Sequence, residues 1–228
     1  MEAETANATD EYGIPVVPPS SASVLRKRRA IIEAAAAEFL AEGYAAASMD
    51  AVTSRSGVSK ATVYKHFGTK ERLFLAAIGG IVREACAGLE PGALPPGGPA
   101  LVEAVDLRNA LIGLTGDRAA FLLRPDIMRL RRLVIGEADR FPQLGRLWYG
   151  ITYDLYDGPL VEAVTELGHR GRLRVPDPEL AVRQLVAATV GVPQLVHTFA
   201  PGTAPDPAEL TRVVTSGVDL FLARYAAP

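Results

Sequence analysis

The sequence predicts an all-α protein. Three observations carry that reading. Strand-like alternation is sustained nowhere along the chain, apolar residues recur instead at three- and four-residue spacing, and the periodic stretches are separated by helix-capping and helix-ending residues. A three-helix N-terminal unit and a larger helical domain, about nine helices in total, account for the 228 residues.

The first helix reads from about Val24 to Glu42, with Leu25, Ile32, Ala36, Phe39 and Leu40 on its apolar side and Gly43 closing it. Ser48 is placed to cap a short helix, "MDAVTSRS", that Gly57 ends. Ser59 is placed to cap a second, "KATVYKHF", that Gly68 ends, and Thr69 caps a longer one running towards Gly88. The stretch "GLEPGALPPGGPA" carries four prolines and four glycines and reads as a loop. Helical patterns resume at about 101–116 and 120–139, with Pro125 as a break or a first-turn residue. A long amphipathic segment from Pro142 towards Gly168 is expected to kink at Gly158-Pro159. Two closing helices open on "DPEL" at Asp177 and "DPAEL" at Asp206, each with Asp at the cap and Pro in the first turn, and Glu209 at a capping-box position.

Composition narrows the function classes. A net charge of −2 does not mark a nucleic-acid binder, but the charge is unevenly placed. Residues 1–23 carry four acids and no base, whereas Val24 to Gly80 carries nine Lys/Arg against five Asp/Glu. A local basic face attracts a polyanion whatever the total. The single Cys86 rules out an intrachain disulfide framework and reads as a buried residue of a helical apolar pattern. The N-terminus lacks a basic start and an unbroken apolar core, and reads as a disordered acidic tail. The longest apolar run, Leu185 to Val196, is too short for a bilayer and contains Pro193, so a cytoplasmic protein without membrane partners is expected. Three histidines, and no H-E-x-x-H, G-x-S-x-G, P-loop or G-x-G-x-x-G pattern, leave no catalytic residue, metal site or cofactor to assign.

The segment "SGVSKATVYKHFGTKERL" concentrates donors. A short helix, a glycine-containing turn and a second short helix form the helix-turn-helix arrangement, whose second helix enters the DNA major groove. Ser48, Ser59, Lys60, Thr62, Tyr64 and Lys70 are residue types that bind phosphate oxygens and base edges, and Ala61 is small enough for close approach to a groove floor. Arg26 to Arg29 form a basic arm beside this segment.

The span "RRAIIEAAAAEFLAEGYAAASMDAVTSRSGVSKATVYKHFGTKERLFLAAI" resembles the DNA-binding domain of the TetR family of transcriptional regulators. It departs from the family at Met49, where a second hydroxyl is common. The resemblance implies that Ser48 holds phosphate, that Lys60, Ala61, Thr62 and Lys65 face the groove, that Tyr64 and Lys70 grip the backbone, and that His66 sits at the helix end. It also implies a homodimer on a palindromic double-stranded operator, regulated by a small-molecule effector. The stretch "RLRRLVIGEADRFPQLGRLWYG" is similar to the AefR-like subgroup of C-terminal domains.

Domain boundaries follow at 1–23 for the tail, 24–80 for the DNA-binding domain and 81–228 for ligand binding and dimerisation. Trp148, Tyr149, Ile151 and Tyr153, on the helix after Pro142, are the candidate ligand contacts, since aromatics with a few polar groups suit a cavity between helices. Leu180, Leu185, Val186, Thr189 and Val190, with Leu210, Val213, Val214, Gly217 and Phe221, are expected to form a dimer surface. The expected function is a ligand-responsive regulator that represses until its effector releases it. Two other classes compete with it: a helical interaction module that does not read DNA, and an enzyme acting on a small molecule.

Overall fold

The computed structural model describes residues 8–16, 20–87, 97–203 and 205–228. The loop expected across 88–100 lies largely outside them, as does the Cys86 side chain. Among the described residues no strand forms, and the helices are α1 (Ala22–Ala46), α2 (Met49–Ser56), α3 (Lys60–Phe67), α4 (Lys70–Ala87), α5 (Gly97–Glu103), α6 (Leu107–Leu122), α7 (Pro125–Gly136), α8 (Pro142–Thr152), α9 (Gly158–His169), α10 (Pro178–Val186), α11 (Val192–Phe199) and α12 (Pro207–Tyr225). A π-helical turn, Tyr153–Asp157, joins α8 to α9, and another, Ala187–Gly191, joins α10 to α11, so the described helices number ten when counted as continuous rods. The all-α expectation holds. The additional helix arises at Asp106, which accepts from the Asn109 amide at 3.0 Å and starts α6 anew where one helix was expected over 101–116.

At Gly158-Pro159, where a kink was expected, the helix runs through a π turn. Pro159 has no N–H to return to the preceding turn, and the π turn immediately before it absorbs the missing bond. The second π turn stands in the same relation to Pro193. Asp177 and Asp206 cap as expected, accepting from the Leu180 and Ala208 amides at 3.0 Å. Glu209 does not complete a capping box; it pairs with Arg212 instead, at 2.7 Å.

The chain divides into two compact units, one of residues 1–85 with 132–150 and the other of 86–131 with 151–228. By contacts, the stretch 132–150 clusters with the first unit, although it follows the boundary expected at residue 80.

In the first unit the buried side of α1 is Ile31, Ala34, Ala35, Glu38 and Phe39, about one residue round from the expected stripe; Leu25 is 41% exposed. The sequence pattern misled because Glu38, a charged residue, occupies a buried position. Phe39, Tyr44, Phe74 and Phe141 form an aromatic cluster with centroid separations of 4.7–5.1 Å between Phe39 and Phe74, Tyr44 and Phe74, Tyr44 and Phe141, and Phe74 and Phe141.

The tail expected to be disordered is anchored over residues 8–16. The Asp10 carboxylate accepts from the amides of Tyr12 and Ile14, both at 2.9 Å, and pairs with Arg83. Ile14 is fully buried against Gly79 of α4, where a Cβ would lie 2.6 Å from its methyl group. Tyr12 packs on Gly150 of α8, where a Cβ would meet its hydroxyl at 2.5 Å. Averaging composition over 23 residues concealed this short anchor.

In the second unit, Leu160, Ala163, Val164 and Leu167 of α9 pack with Leu111 of α6, Ala181 and Leu185 of α10, and Val218 and Phe221 of α12. Gly217 lets α12 approach the second π turn closely, since a Cβ there would sit 2.7 Å from the Thr189 methyl. The proposed dimer surface is corrected by this packing. Leu185, Thr189, Val190, Val214, Gly217 and Phe221 are buried within the chain's own core, because two apolar helix faces in one unit cover each other first.

The anchored segment gives a stability prediction. Ile14→Ala should lower the unfolding free energy by about 2–4 kcal/mol, whereas Val16→Ala, at a 47% exposed position, should change it by less than about 0.5 kcal/mol. Denaturant unfolding of the full chain measures both, and equally small effects would mean that the segment is not anchored in solution.

Candidate nucleic-acid interface and the cavity of the second unit

The interface is built from helix ends. Ser48 caps α2, its hydroxyl accepting from the amides of Asp50 at 3.2 Å and Ala51 at 3.4 Å. Gly57 ends α2 in the left-handed region at φ 68°, ψ 18°, which a side chain would strain. Ser59 caps α3 by accepting from the Thr62 amide at 3.2 Å, and its hydroxyl lies 2.8 Å from that of Thr62. Thr69 does the same for α4 at the Arg72 amide, 3.2 Å away.

Val63 and Phe67, four residues apart, bury one side of α3. At 100° per residue, Ala61, Thr62 and Lys65 fall on the opposite side, with Lys60 and Tyr64 on one flank and His66 on the other. Exposure agrees: Ser48, Ser59, Lys60, Ala61, Tyr64 and Lys65 are exposed, and Thr62, His66 and Lys70 are half-buried. All nine residues expected to touch DNA therefore retain accessible surface within one unit.

Several of them already have partners. Lys60 Nζ lies 2.7 Å from Asp50 of α2, a hydrogen-bonded pair that holds the ammonium pKa above its ordinary value. Lys70 Nζ donates to the Ala47 carbonyl at 2.6 Å and lies 4.9 Å from the centre of the Tyr44 ring, so it secures the turn that delivers Ser48. The His66 pKa lies below its usual value, first because of burial and then because of the cations Arg28, Lys65 and Lys27.

Two supporting residues escaped the sequence reading. Glu38, 7% exposed, accepts from the Ser48 amide at 3.0 Å, and Arg55 lies 3.8 Å from its other oxygen. It thus ties α1 to both ends of α2. Tyr44 donates to Glu71 at 2.7 Å, with the Arg140 guanidinium 4.2 Å above its ring. Burial, and then the bond to Glu71, push the Tyr44 hydroxyl up to about 12, while that bond holds the Glu71 carboxyl below its ordinary value. An acid at the core period of an amphipathic helix was the available signal for Glu38. Nothing local signals Arg140.

The second unit contains a cavity of about 50 Å³ whose wall includes Thr115, Arg118, Tyr156, Leu160, Thr189 and Val190. Trp148, Tyr149, Ile151 and Tyr153 do not line it, and Tyr149 is 63% exposed. From that stretch the lining begins later, at Leu155 and Tyr156. Trp148 and Tyr149 cluster with the first unit, whereas Leu155 and Tyr156 lie in the π turn of the second. Arg118 is 5% exposed, donates from Nη1 to Asp157 at 2.6 Å, and stacks 4.8 Å from the centre of the Tyr156 ring.

Comparison with known proteins now bears on this geometry. The profile of bacterial regulatory proteins of the tetR family matches residues 31–77, and that of the C-terminal domain of AefR-like transcriptional repressors matches residues 109–227. A solved structure from Mesorhizobium loti MAFF303099, assigned as a TetR-family transcriptional regulator, is 33% identical, covers 91% of this chain and 100% of its own, and superposes with a TM-score of 0.75. The flavonoid-responsive regulator FrrA is 26% identical over 88% of this chain and 97% of its own, with a TM-score of 0.68. The HTH-type transcriptional activator FasR of Mycolicibacterium smegmatis is 42% identical over 52 residues, which span 23% of this chain and 24% of FasR. With an exposed helix-turn-helix face, a match over more than half the chain and a relative aligned along its whole length, the chain belongs to the TetR family of transcriptional regulators, which are DNA-binding proteins and not enzymes.

Proposed function

We propose that this regulator is a homodimer that represses transcription from a palindromic operator and is released when a small molecule enters the cavity of its second unit. The observation that carries the DNA half is the exposed face of α3 opposite Val63 and Phe67, held by side-chain caps at Ser48, Ser59 and Thr69. Ala61, Thr62 and Lys65 face the bases; Ser48, Tyr64 and Lys70 hold phosphates; Lys60 exchanges Asp50 for DNA. An interaction module has no use for this set of donors, and the enzyme alternative is set aside by family membership.

The dimer has support in a different place from the one expected. Val192, Leu195, Val196 and Phe199 of α11, at i, i+3, i+4 and i+7, are 54–80% exposed, and Leu220 of α12 is 65% exposed. An apolar helix face of this kind fits a second copy of the same face across a two-fold axis. Repression rests on the AefR-like repressor profile over residues 109–227; FasR, an activator, matches over 52 residues only. Ligand response rests on the cavity, and FrrA, a relative along most of its length, is itself flavonoid-responsive.

Three outcomes test the reading. Footprinting should return two half-sites about one helical turn, ~34 Å, apart or a multiple of it, bound by two chains; one chain on a single half-site would contradict it. Lys65→Ala and Thr62→Ala should differ from Tyr64→Phe in kind. The first two should alter base preference by about 1–3 kcal/mol for each good base-edge interaction removed, and the third should weaken all sequences alike. The reverse assignment would show as an unchanged consensus for Thr62→Ala.

The third outcome concerns pH. Burial, and then the cations Arg28, Lys65 and Lys27, lower the His66 pKa in the free protein, and DNA phosphates placed beside those cations would raise it again. Binding then takes up a proton, so affinity should rise as pH falls from about 7 through the range around the ordinary histidine value of ~6.5. His66→Gln should flatten that rise, and an unchanged pH profile in the variant would remove His66 from the interface.

A further inference from the structure

Arg118 is the feature of the second unit that its fold does not explain. A guanidinium has five N–H donors, and one placed at 5% exposure is expected to spend them all. Nη1 is committed to Asp157, and the ring of Tyr156 stacks against the guanidinium, but Nε has no hydrogen-bond acceptor among the described residues. The residue forms part of the cavity wall.

The two threonines of that wall have fixed roles. The Thr115 hydroxyl donates to the Leu111 carbonyl at 2.7 Å, and the Thr189 hydroxyl donates to the Leu185 carbonyl at 2.8 Å. Both hydroxyl protons are used within their own helices, so towards the cavity these oxygens can only accept. The rest of the wall is largely aliphatic. Nε–H of Arg118 is therefore a donor of the wall that no described acceptor takes, beside the hydroxyl of Tyr156.

Charge decides between the ligands that could take this donor. Arg118 and Asp157 together are neutral, with side chains 6% and 20% exposed. A carboxylate entering beside them would bring a third charge into a poorly hydrated site and compete with Asp157 for the guanidinium, leaving one anion without its partner. A carbonyl or similar neutral oxygen accepts from Nε and leaves the pair intact. Size also selects. A cavity of about 50 Å³ is about a third of the ~150 Å³ that holds a benzene ring, so it excludes a drug-sized ligand and takes a single ring only if its wall opens. The wall can still adjust, because two of the segments that form it are the π turns Tyr153–Asp157 and Ala187–Gly191.

We infer that the cavity takes a small, neutral, mainly apolar molecule, about one ring in size, bearing a carbonyl oxygen that accepts from Arg118 Nε. Arg118 is the residue that selects that chemistry. This assignment deepens the effector reading given under the proposed function and rests on it only for the regulatory consequence, not for binding.

The test uses three probes of nearly equal shape titrated calorimetrically into the full-length chain: acetophenone, benzoate and ethylbenzene. Acetophenone should bind about tenfold or more tightly than ethylbenzene, the usual worth of a hydrogen bond to a charged donor, and more tightly than benzoate. Arg118→Met should bring acetophenone down to the ethylbenzene level and leave ethylbenzene unchanged. Arg118→Lys, which keeps the charge but loses the Nε donor, should do the same for the ratio. Benzoate as the tightest probe, equal binding of acetophenone and ethylbenzene, or no binding by any of the three would each overturn the inference. The wild-type ranking decides the matter even if neither variant folds. Operator affinity measured with and without acetophenone separates the two claims: Arg118-dependent binding with unchanged operator affinity would keep the ligand assignment and defeat the effector role.

Discussion

The DNA-facing unit depends on the ring of Tyr44. Its faces and edges pack on Phe39, Phe74 and Phe141, its hydroxyl donates to Glu71, and Lys70 and Arg140 stand 4.9 Å and 4.2 Å from its ring centre. Gly43, at φ 74°, ends the regular course of α1 immediately before it. The ring therefore fixes where the chain goes after α1, and Lys70 reaches from the start of α4 past it to the Ala47 carbonyl. The next residue is Ser48, the cap of α2. Placement of the helix-turn-helix is thus decided by buried aromatic packing and a cation–π interaction, which persist when salt screens exposed charges.

Glu38 completes the arrangement from the other side. A buried carboxylate is costly unless its oxygens are used, and both are engaged, one by the Ser48 amide and the other facing Arg55. Two fixed supports, one aromatic and one ionic, leave the side chains of Ala61 and Lys65 on α3 outside the core. That division explains how small, polar and cationic residues can occupy Ala61, Thr62 and Lys65 without harm to the core. In the second unit the same logic operates with less completeness: the Arg118–Asp157 pair is buried among apolar neighbours, and one donor is left over. An unmet buried donor costs stability, and an acceptor entering the cavity would recover that cost.

Much of the DNA-binding segment was legible in the sequence because its signals are local. Ser48, Ser59 and Thr69 as caps, and Gly43, Gly57 and Gly68 as endings, depend on neighbours within four residues. The caps of α10 and α12 at Asp177 and Asp206 were legible for the same reason. What failed depended on residues far apart in the chain. Glu38 displaced the buried stripe of α1 by a residue. The anchor at Asp10 and Ile14 depends on Arg83 and Gly79, about seventy residues away. Trp148 and Tyr149 were placed by an apolar stripe, and a stripe does not say that 132–150 clusters with the first unit while the cavity lined by Tyr156 lies in the second. The expected dimer stripe was real apolar patterning, but patterning does not say whether a face is covered by its own chain or by a second one. Exposure shows which faces the chain's own fold leaves uncovered, and Val192, Leu195, Val196 and Phe199 are among them.

The central claim is that the exposed side of α3 reads the operator. Site-directed crosslinking measures this directly: an Ala61→Cys chain is mixed with operator DNA, recovered by selection from a random pool, that carries a thiol-bearing base at a single defined position. A Thr211→Cys chain, with the thiol on the exposed side of α12, and the unmodified chain with its native Cys86 set the background. The account predicts a disulfide from Ala61→Cys at one base position in each half-site, well above both controls, and abolished when non-operator DNA replaces the operator. Crosslinking equal to the controls at every base position would contradict it and place recognition on another surface.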